Sequence, residues 1–130
     1  MANMQTWVTQ VIQGVTAWSG TEQASHRFGG TEFRLGKVEI GHIHRNGMVD
    51  IPFTRAIRDI LLAEGKAEPH HLLPETGWIS FYIRAETDVA AALWLLRVSY
   101  LQKARRRMPE LTQSPEIELS QSLRLAVLGQ

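Results

Sequence analysis

The chain has 130 residues, 14 basic and 13 acidic, a formal net charge of +1 and no cysteine. That length fits one domain able to bury a core, and the charge balance supplies no overall field for nucleic acid, an anionic membrane or an acidic substrate. Without cysteine there is no disulfide framework, zinc–thiolate site, iron–sulfur cluster or thiol nucleophile, so any metal would need His, Asp or Glu ligands.

Met4, Trp7, Val8, Val11, Ile12 and Val15 follow the i, i+3, i+4, i+7 spacing of an amphipathic helix. This predicts an N-terminal helix ending near residues 14–20. Residues 1–15 carry no basic n-region, and Gln and Thr interrupt their apolar positions, unlike a signal peptide. No apolar run reaches the length of a membrane span, so a cytoplasmic protein is expected.

From Ala24 the period changes to two, and turn signals recur at Gly29-Gly30, Leu35-Gly36-Lys37 and Asn46-Gly47, the last a type I′ hairpin signal. The pattern predicts an antiparallel meander over roughly residues 24–28, 31–35, 37–44 and 48–52. Phe53, Ile57, Ile60 and Leu61 predict a short helix closed by Gly65. Residues 67–73 and 78–84 read as a hairpin around Pro74-Glu75-Thr76-Gly77. Residues 86–107 read as a long helix, acidic at its start and basic at Lys103, Arg105, Arg106 and Arg107, which suits the helix dipole. Beyond it the signals conflict: Ser114-Pro115 resembles a helix start, while Leu123, Leu125 and Val127 alternate like a strand. The expected fold is α+β: a four-stranded antiparallel meander plus a hairpin in one sheet, with the N-terminal and long C-terminal helices packed on one face. Residues 1–107 make the single domain, and 108–130 a C-terminal appendage of open form.

Four of the five histidines fall in two pairs, His42 with His44 and His70 with His71. An imidazole titrates near neutral pH and can bind metal, move a proton or hydrogen-bond a substrate. In a regular strand Val38, Ile40, His42 and His44 share one face, so an apolar wall would continue into the two imidazoles. Such surroundings lower an imidazole pKa unless a carboxylate opposes them, and a neutral imidazole can act as a base. His70 and His71 are adjacent, so on a strand they diverge and at most one joins the other pair. His26 reads as isolated.

Gly36-x5-His42-x-His44 matches the opening of the cupin metal motif, but no Glu follows at the required gap and Asp50 lies too far along. Three histidines with a carboxylate would suit zinc or iron(II), yet with one pair diverging no metal is expected. Arg27 and Arg34 are either anion-binding residues or partners of Glu32 on a solvated face. Trp78 shares a strand face with Ser80 and Tyr82, a surface able to stack a flat ring or simply to build core. The basic cluster at 103–107 reads as a solvated helix end.

Taken together, Arg27-Phe28-Gly29-Gly30, Glu32-Phe33-Arg34, the run Glu39-Ile40-Gly41-His42-Ile43-His44, Glu68-Pro69-His70-His71, Gly77-Trp78 through Phe81, and the helix over 91–100 resemble the small bacterial proteins of the luciferase-like domain family. The resemblance covers about residues 24–101. That domain is similar to the fungal luciferase domain, which oxidises a hydroxylated pyrone with dioxygen and is not flavin-dependent. It implies a pocket shared by Glu39, His42, His44, His70 or His71, and Trp78. This chain is shorter than the fungal protein, and its last-strand junction aligns only with a shift.

The function expected from these readings is small-molecule binding, with cofactor-independent oxygenation of a planar hydroxylated aromatic or pyrone as its chemistry. His42 and His44 are the candidate catalytic residues, as base or proton relay. His70, His71, Trp78, Arg27, Arg34 and Glu39 are candidates for substrate binding. The alternative is a non-catalytic protein-interaction domain with structural histidines. The expected partner is a small-molecule ligand, without nucleic acid or membrane, and the sequence names no cofactor and no oligomeric state.

Overall fold

The computed structural model describes residues 3–130; Met1 and Ala2, where the segment read for a signal begins, lie outside it. Its strands are β1 (Thr21–Ser25), β2 (Thr31–Leu35), β3 (Val38–Ile43), β4 (Met48–Pro52), β5 (Glu68–Pro69) and β6 (Trp78–Tyr82), and its helices α1 (Met4–Thr16), α2 (Arg55–Ala63), α3 (Thr87–Arg107) and α4 (Gln121–Leu128). The strands form one sheet in the order β1-β2-β3-β4-β6-β5. Every pairing is antiparallel. The class, the meander and the added hairpin are those the alternation predicts.

Two turns differ from their sequence signals, and both matter for the site. Between β3 and β4 the Gly47 N–H donates to the His44 carbonyl at 3.0 Å and the His44 N–H to the Met48 carbonyl at 2.8 Å. Gly47 has φ of 90°, whereas Asn46 has none of the positive φ that type I′ requires. The loop is thus three residues long, a tight turn followed by a left-handed glycine, and it sets His42 opposite Asp50. In the first hairpin, β1 ends at Ser25 rather than 28, and residues 26–30 form a loop closed by the His26 N–H on the Gly30 carbonyl at 2.9 Å. That loop lifts His26 out of the strand.

One sheet face builds the core. Phe33, Leu35, Ile43, Val49, Ile51 and Ile79 are buried with Val11 and Val15 of α1 and Leu95, Leu96 and Leu101 of α3. At Gly41 a Cβ would stand 2.8 Å from Leu96 Cδ2 and 3.1 Å from the Asp50 carbonyl, so the missing side chain lets α3 approach the strand. The Ser99 hydroxyl anchors the same helix by donating to the Ile40 carbonyl at 2.7 Å.

Residues 108–130 take their form in α4. Its cap is Ser120, whose hydroxyl accepts the Leu123 N–H at 3.2 Å, rather than Ser114. Leu123 and Val127, one helical turn apart, enter the common core, while Leu125 is exposed; helical spacing explains the apparent alternation. No described helix is long and apolar enough to cross a membrane.

Candidate functional site

Residues directly opposite in an antiparallel ladder point to the same side. The register pairs Glu32 with His42, His42 with Asp50, and Asp50 with Ser80, so four polar side chains cross the sheet in one row on the face away from α1 and α3. A register shift at Phe33/Arg34 leaves Ile40 without a partner in the β2 ladder. This irregularity breaks the face-sharing expected of Val38, Ile40, His42 and His44, because an extra residue reverses the alternation before it. Ile40 is fully buried, and Glu39 swings to the side of His42, where its Oε2 lies 2.6 Å from His42 Nδ1.

Asp50 is the centre of the row, with 1% of its surface exposed. Its Oδ1 accepts the Ser80 hydroxyl at 2.7 Å. Oδ2 lies 2.9 Å from His44 Nε2 and 3.3 Å from His42 Nε2. His70 Nε2 and His71 Nδ1 approach Oδ1 at 3.6 and 3.5 Å. The expectation that His70 and His71 diverge is corrected: β5 stops at Pro69, the two lie in a loop, and strand alternation does not apply. Their rings stack at 4.3 Å.

His26 is not isolated either. Its ring stacks on His42 at 3.8 Å with an interplanar angle of 17°, and its Nδ1 lies 3.1 Å from Glu32 Oε1. All five histidines therefore gather on one side of the sheet. Trp78, two residues before Ser80 on β6, stands 5.7 Å from both His42 and His70. These groups line an open cavity of about 490 Å³ with His26, Arg27, Glu39, His42, His44, Asp50, His70 and His71 around a polar floor, and Leu72, Leu73 and Trp78 giving an apolar rim. Arg34 stands behind it, paired with Glu32.

The charges follow from these contacts. Burial works against ionisation of Asp50, but hydrogen bonds from His42, Ser80 and His44 outweigh it and hold the carboxyl well below the usual range. Burial likewise works against a charged His42, yet its bonds to Asp50 and Glu39 raise its pKa to about 9. His42 is therefore an imidazolium at neutral pH with a carboxylate at each ring nitrogen, not the neutral base expected from an apolar wall. His70 is pushed the other way, by burial first and then by the neighbouring imidazoles, against the pull of Asp50. Its Nδ1 accepts the Leu72 and Leu73 N–H groups, both at 3.0 Å, so its proton resides on Nε2. For His44, the ionised Asp50 can only accept, so the proton of their contact lies on His44 Nε2.

Sequence reasoning missed Asp50, Ser80 and His26. The first was recoverable. A three-residue loop at 45–47 pairs 44 with 48 and hence 42 with 50, whereas the two-residue loop read from Asn46-Gly47 pairs 43 with 50 and sends Asp50 to the wrong face. Ser80 follows from Asp50 by register, but the long connection between β4 and β6 hides it. For His26 the loop carries no signal.

Residues 37–99 match the family model described as Luciferase domain, and the chain carries a luciferase-like domain. The match spans Glu39, both histidine pairs, Asp50, Trp78 and Ser80, while His26 and Glu32 lie before it. No curated protein and no solved structure matches the chain.

Proposed function

We propose that this luciferase-like domain binds a planar hydroxylated aromatic or pyrone in the cavity beside Asp50 and ionises it for reaction with dioxygen. The observation that carries this reading is the His44–Asp50 pair. With Nε2–H held by a buried carboxylate at 2.9 Å, the other ring nitrogen of His44 is a general base on the cavity wall. An acidic hydroxyl gives its proton to His44 Nδ1, and the enolate or phenolate so formed is the electron-rich species that dioxygen attacks. His42, fixed as a cation between Glu39 and Asp50, cannot accept that proton, which leaves the role of base to His44. Trp78, Leu72 and Leu73 supply the flat and apolar surfaces that a ring needs, Leu72 being 74% exposed and Leu73 46%.

The test is a screen of hydroxylated aromatics and pyrones by thermal shift, with oxygen consumption measured on the compounds that bind. Wild type is expected to gain several degrees, and His44→Ala to retain binding while losing at least about 100-fold in oxygen uptake, the usual contribution of a general base. If no such compound stabilises the wild type, the interaction-domain alternative replaces this reading.

A further inference from the structure

With the Ser80 hydroxyl already bonded to Oδ1, Asp50 is surrounded by more imidazole nitrogens than its remaining lone pairs can serve. One good bond runs to His44, while His42, His70 and His71 stand at 3.3, 3.6 and 3.5 Å. Two sets of side chains hold potential ligand atoms within 4.8 Å of one another: His42, His44 and Asp50, and Asp50, His70 and His71. The hydrogen bonds decide between them. Unlike His42 and His44, His70 accepts two backbone N–H groups at Nδ1, so its proton is held on Nε2 with no other nitrogen to move to and Nε2 offers no lone pair to a metal. The second set therefore falls short of three ligands.

The first set has what a metal centre requires. Ligands bonded at about 2.1 Å stand about 3.0 Å apart at right angles and about 3.4 Å apart in a tetrahedron. His44 Nε2 and His42 Nε2 lie 2.9 and 3.3 Å from Asp50 Oδ2. Behind His42, Glu39 receives the Nδ1–H at 2.6 Å, the carboxylate–histidine arrangement that orients a metal-binding ring. Behind Asp50, the Ser80 hydroxyl holds Oδ1 and leaves Oδ2 facing the imidazoles. His44 opens on the cavity, which gives an ion its entry path.

We infer that His42 Nε2, His44 Nε2 and Asp50 Oδ2 form a binding site for one divalent first-row transition-metal ion. The ion takes the place of the Nε2 proton of His42, whose Nδ1–H stays on Glu39. The His44 proton moves from Nε2 to Nδ1 so that Nε2 can ligate, and the remaining coordination positions face the cavity. Two histidines and one carboxylate with open positions is the donor set of non-haem iron(II) sites. The sequence expectation of no metal rested on the missing thiolates and on the divergence of His70 and His71. Two histidines and a carboxylate need no thiolate, the β3–β4 hairpin brings Asp50 to them, and the site does not need the second pair. The inference deepens the reaction site proposed above and rests on it: a ligand hydroxyl on the ion would ionise without a protein base, so the ion takes over the role given to His44.

The test is titration of EDTA-dialysed protein with cobalt(II) chloride, followed by d–d absorption and by metal content after desalting. One equivalent per chain with visible bands is expected for wild type and for His71→Ala. His42→Ala, His44→Ala and Asp50→Asn should lose it, and Glu39→Gln should bind about 10-fold or more weakly. Cobalt retained in Asp50→Asn and His44→Ala would mark adventitious surface binding and overturn the assignment, as would its loss in His71→Ala but not in His42→Ala. Should Asp50→Asn fail to fold, unchanged affinity in Glu39→Gln would also overturn it. Thermal shift with the hydroxylated aromatics is run in EDTA in parallel. Ligand binding without cobalt binding removes only the metal site, and cobalt binding without any ligand removes only the proposed function.

Discussion

The two faces of this sheet come from the same strands and behave as different materials. Toward α1 and α3, Phe33, Ile43, Val49, Ile51 and Ile79 bury aliphatic and aromatic groups, and a glycine at 41 lets Leu96 close on the backbone. On the other side the alternate residues Glu32, His42, Asp50 and Ser80 bring ionised and hydrogen-bonding groups into nearly as much burial. Apolar burial stabilises the fold, whereas buried charges do so only when every partner is in place. The apolar face thus supports a second face whose arrangement serves chemistry. The largest effect should come from breaking the apolar side. Leu96→Ala removes a fully buried side chain beneath Gly41 and should cost about 2–5 kcal/mol in urea unfolding, while the protein that remains folded binds ligand as wild type does. If ligand binding by the folded fraction falls as well, the two faces are not separable.

The reading of the sequence divides along the same line. Alternation marked the strands of the meander because a one-residue error would expose their core residues, and β2 and β4 have the bounds predicted. Site residues are set by finer details. The irregularity at Ile40 brings Glu39 to His42, a loop one residue longer than expected brings Asp50 to the same ring, and the early end of β5 turns His70 and His71 together. Each is a local departure from regular pairing with little compositional signature. The histidines were visible as residue types, and what they converge on was not.

The apolar face also buries a lysine, and it sharpens the contrast. Lys103 of α3 is buried, donating to the Pro52 carbonyl and to Ser99 Oγ at 2.9 Å. Burial lowers its pKa from 10.5 to about 7, Arg107 adds to this, and Glu39 opposes it. Between pH 7 and about 10 the unfolded chain then holds a proton that the folded chain has released, so Lys103 makes stability rise with pH across that window. Its unfavourable contribution is complete below pH 7. Lys103→Met should flatten this dependence: the stability difference between variant and wild type should shrink by about 1.4 kcal/mol per pH unit from pH 7.5 to 9.5. Comparing the two proteins cancels His42, whose raised pKa acts in the opposite sense. Urea melts at several pH values measure it, and a constant difference would mean that Lys103 is charged throughout.

The smallest effect should lie at the edge of the polar face. His26 comes from the loop after β1, outside the segment that matches the family, and its part-exposed side chain touches the Glu32 carboxylate at 3.1 Å and the face of His42 at 3.8 Å. A part-exposed pair of this kind contributes little to folding. His26→Ala should therefore change stability by less than about 1 kcal/mol, the scale of one ring contact. Its effect belongs to the ligand. Removing the ring takes away one wall of the cavity and the stacking that keeps the His42 plane in place, while His44 and Asp50 keep their bond. Thermal-shift titration should show ligand affinity reduced a few-fold in His26→Ala, with oxygen uptake by the bound compound largely preserved. His44→Ala should do the reverse, keeping affinity and losing uptake. Equal loss of uptake in the two variants would mean that the stacked imidazole takes part in the chemistry and that the polar face works as one unit rather than as a base with a wall.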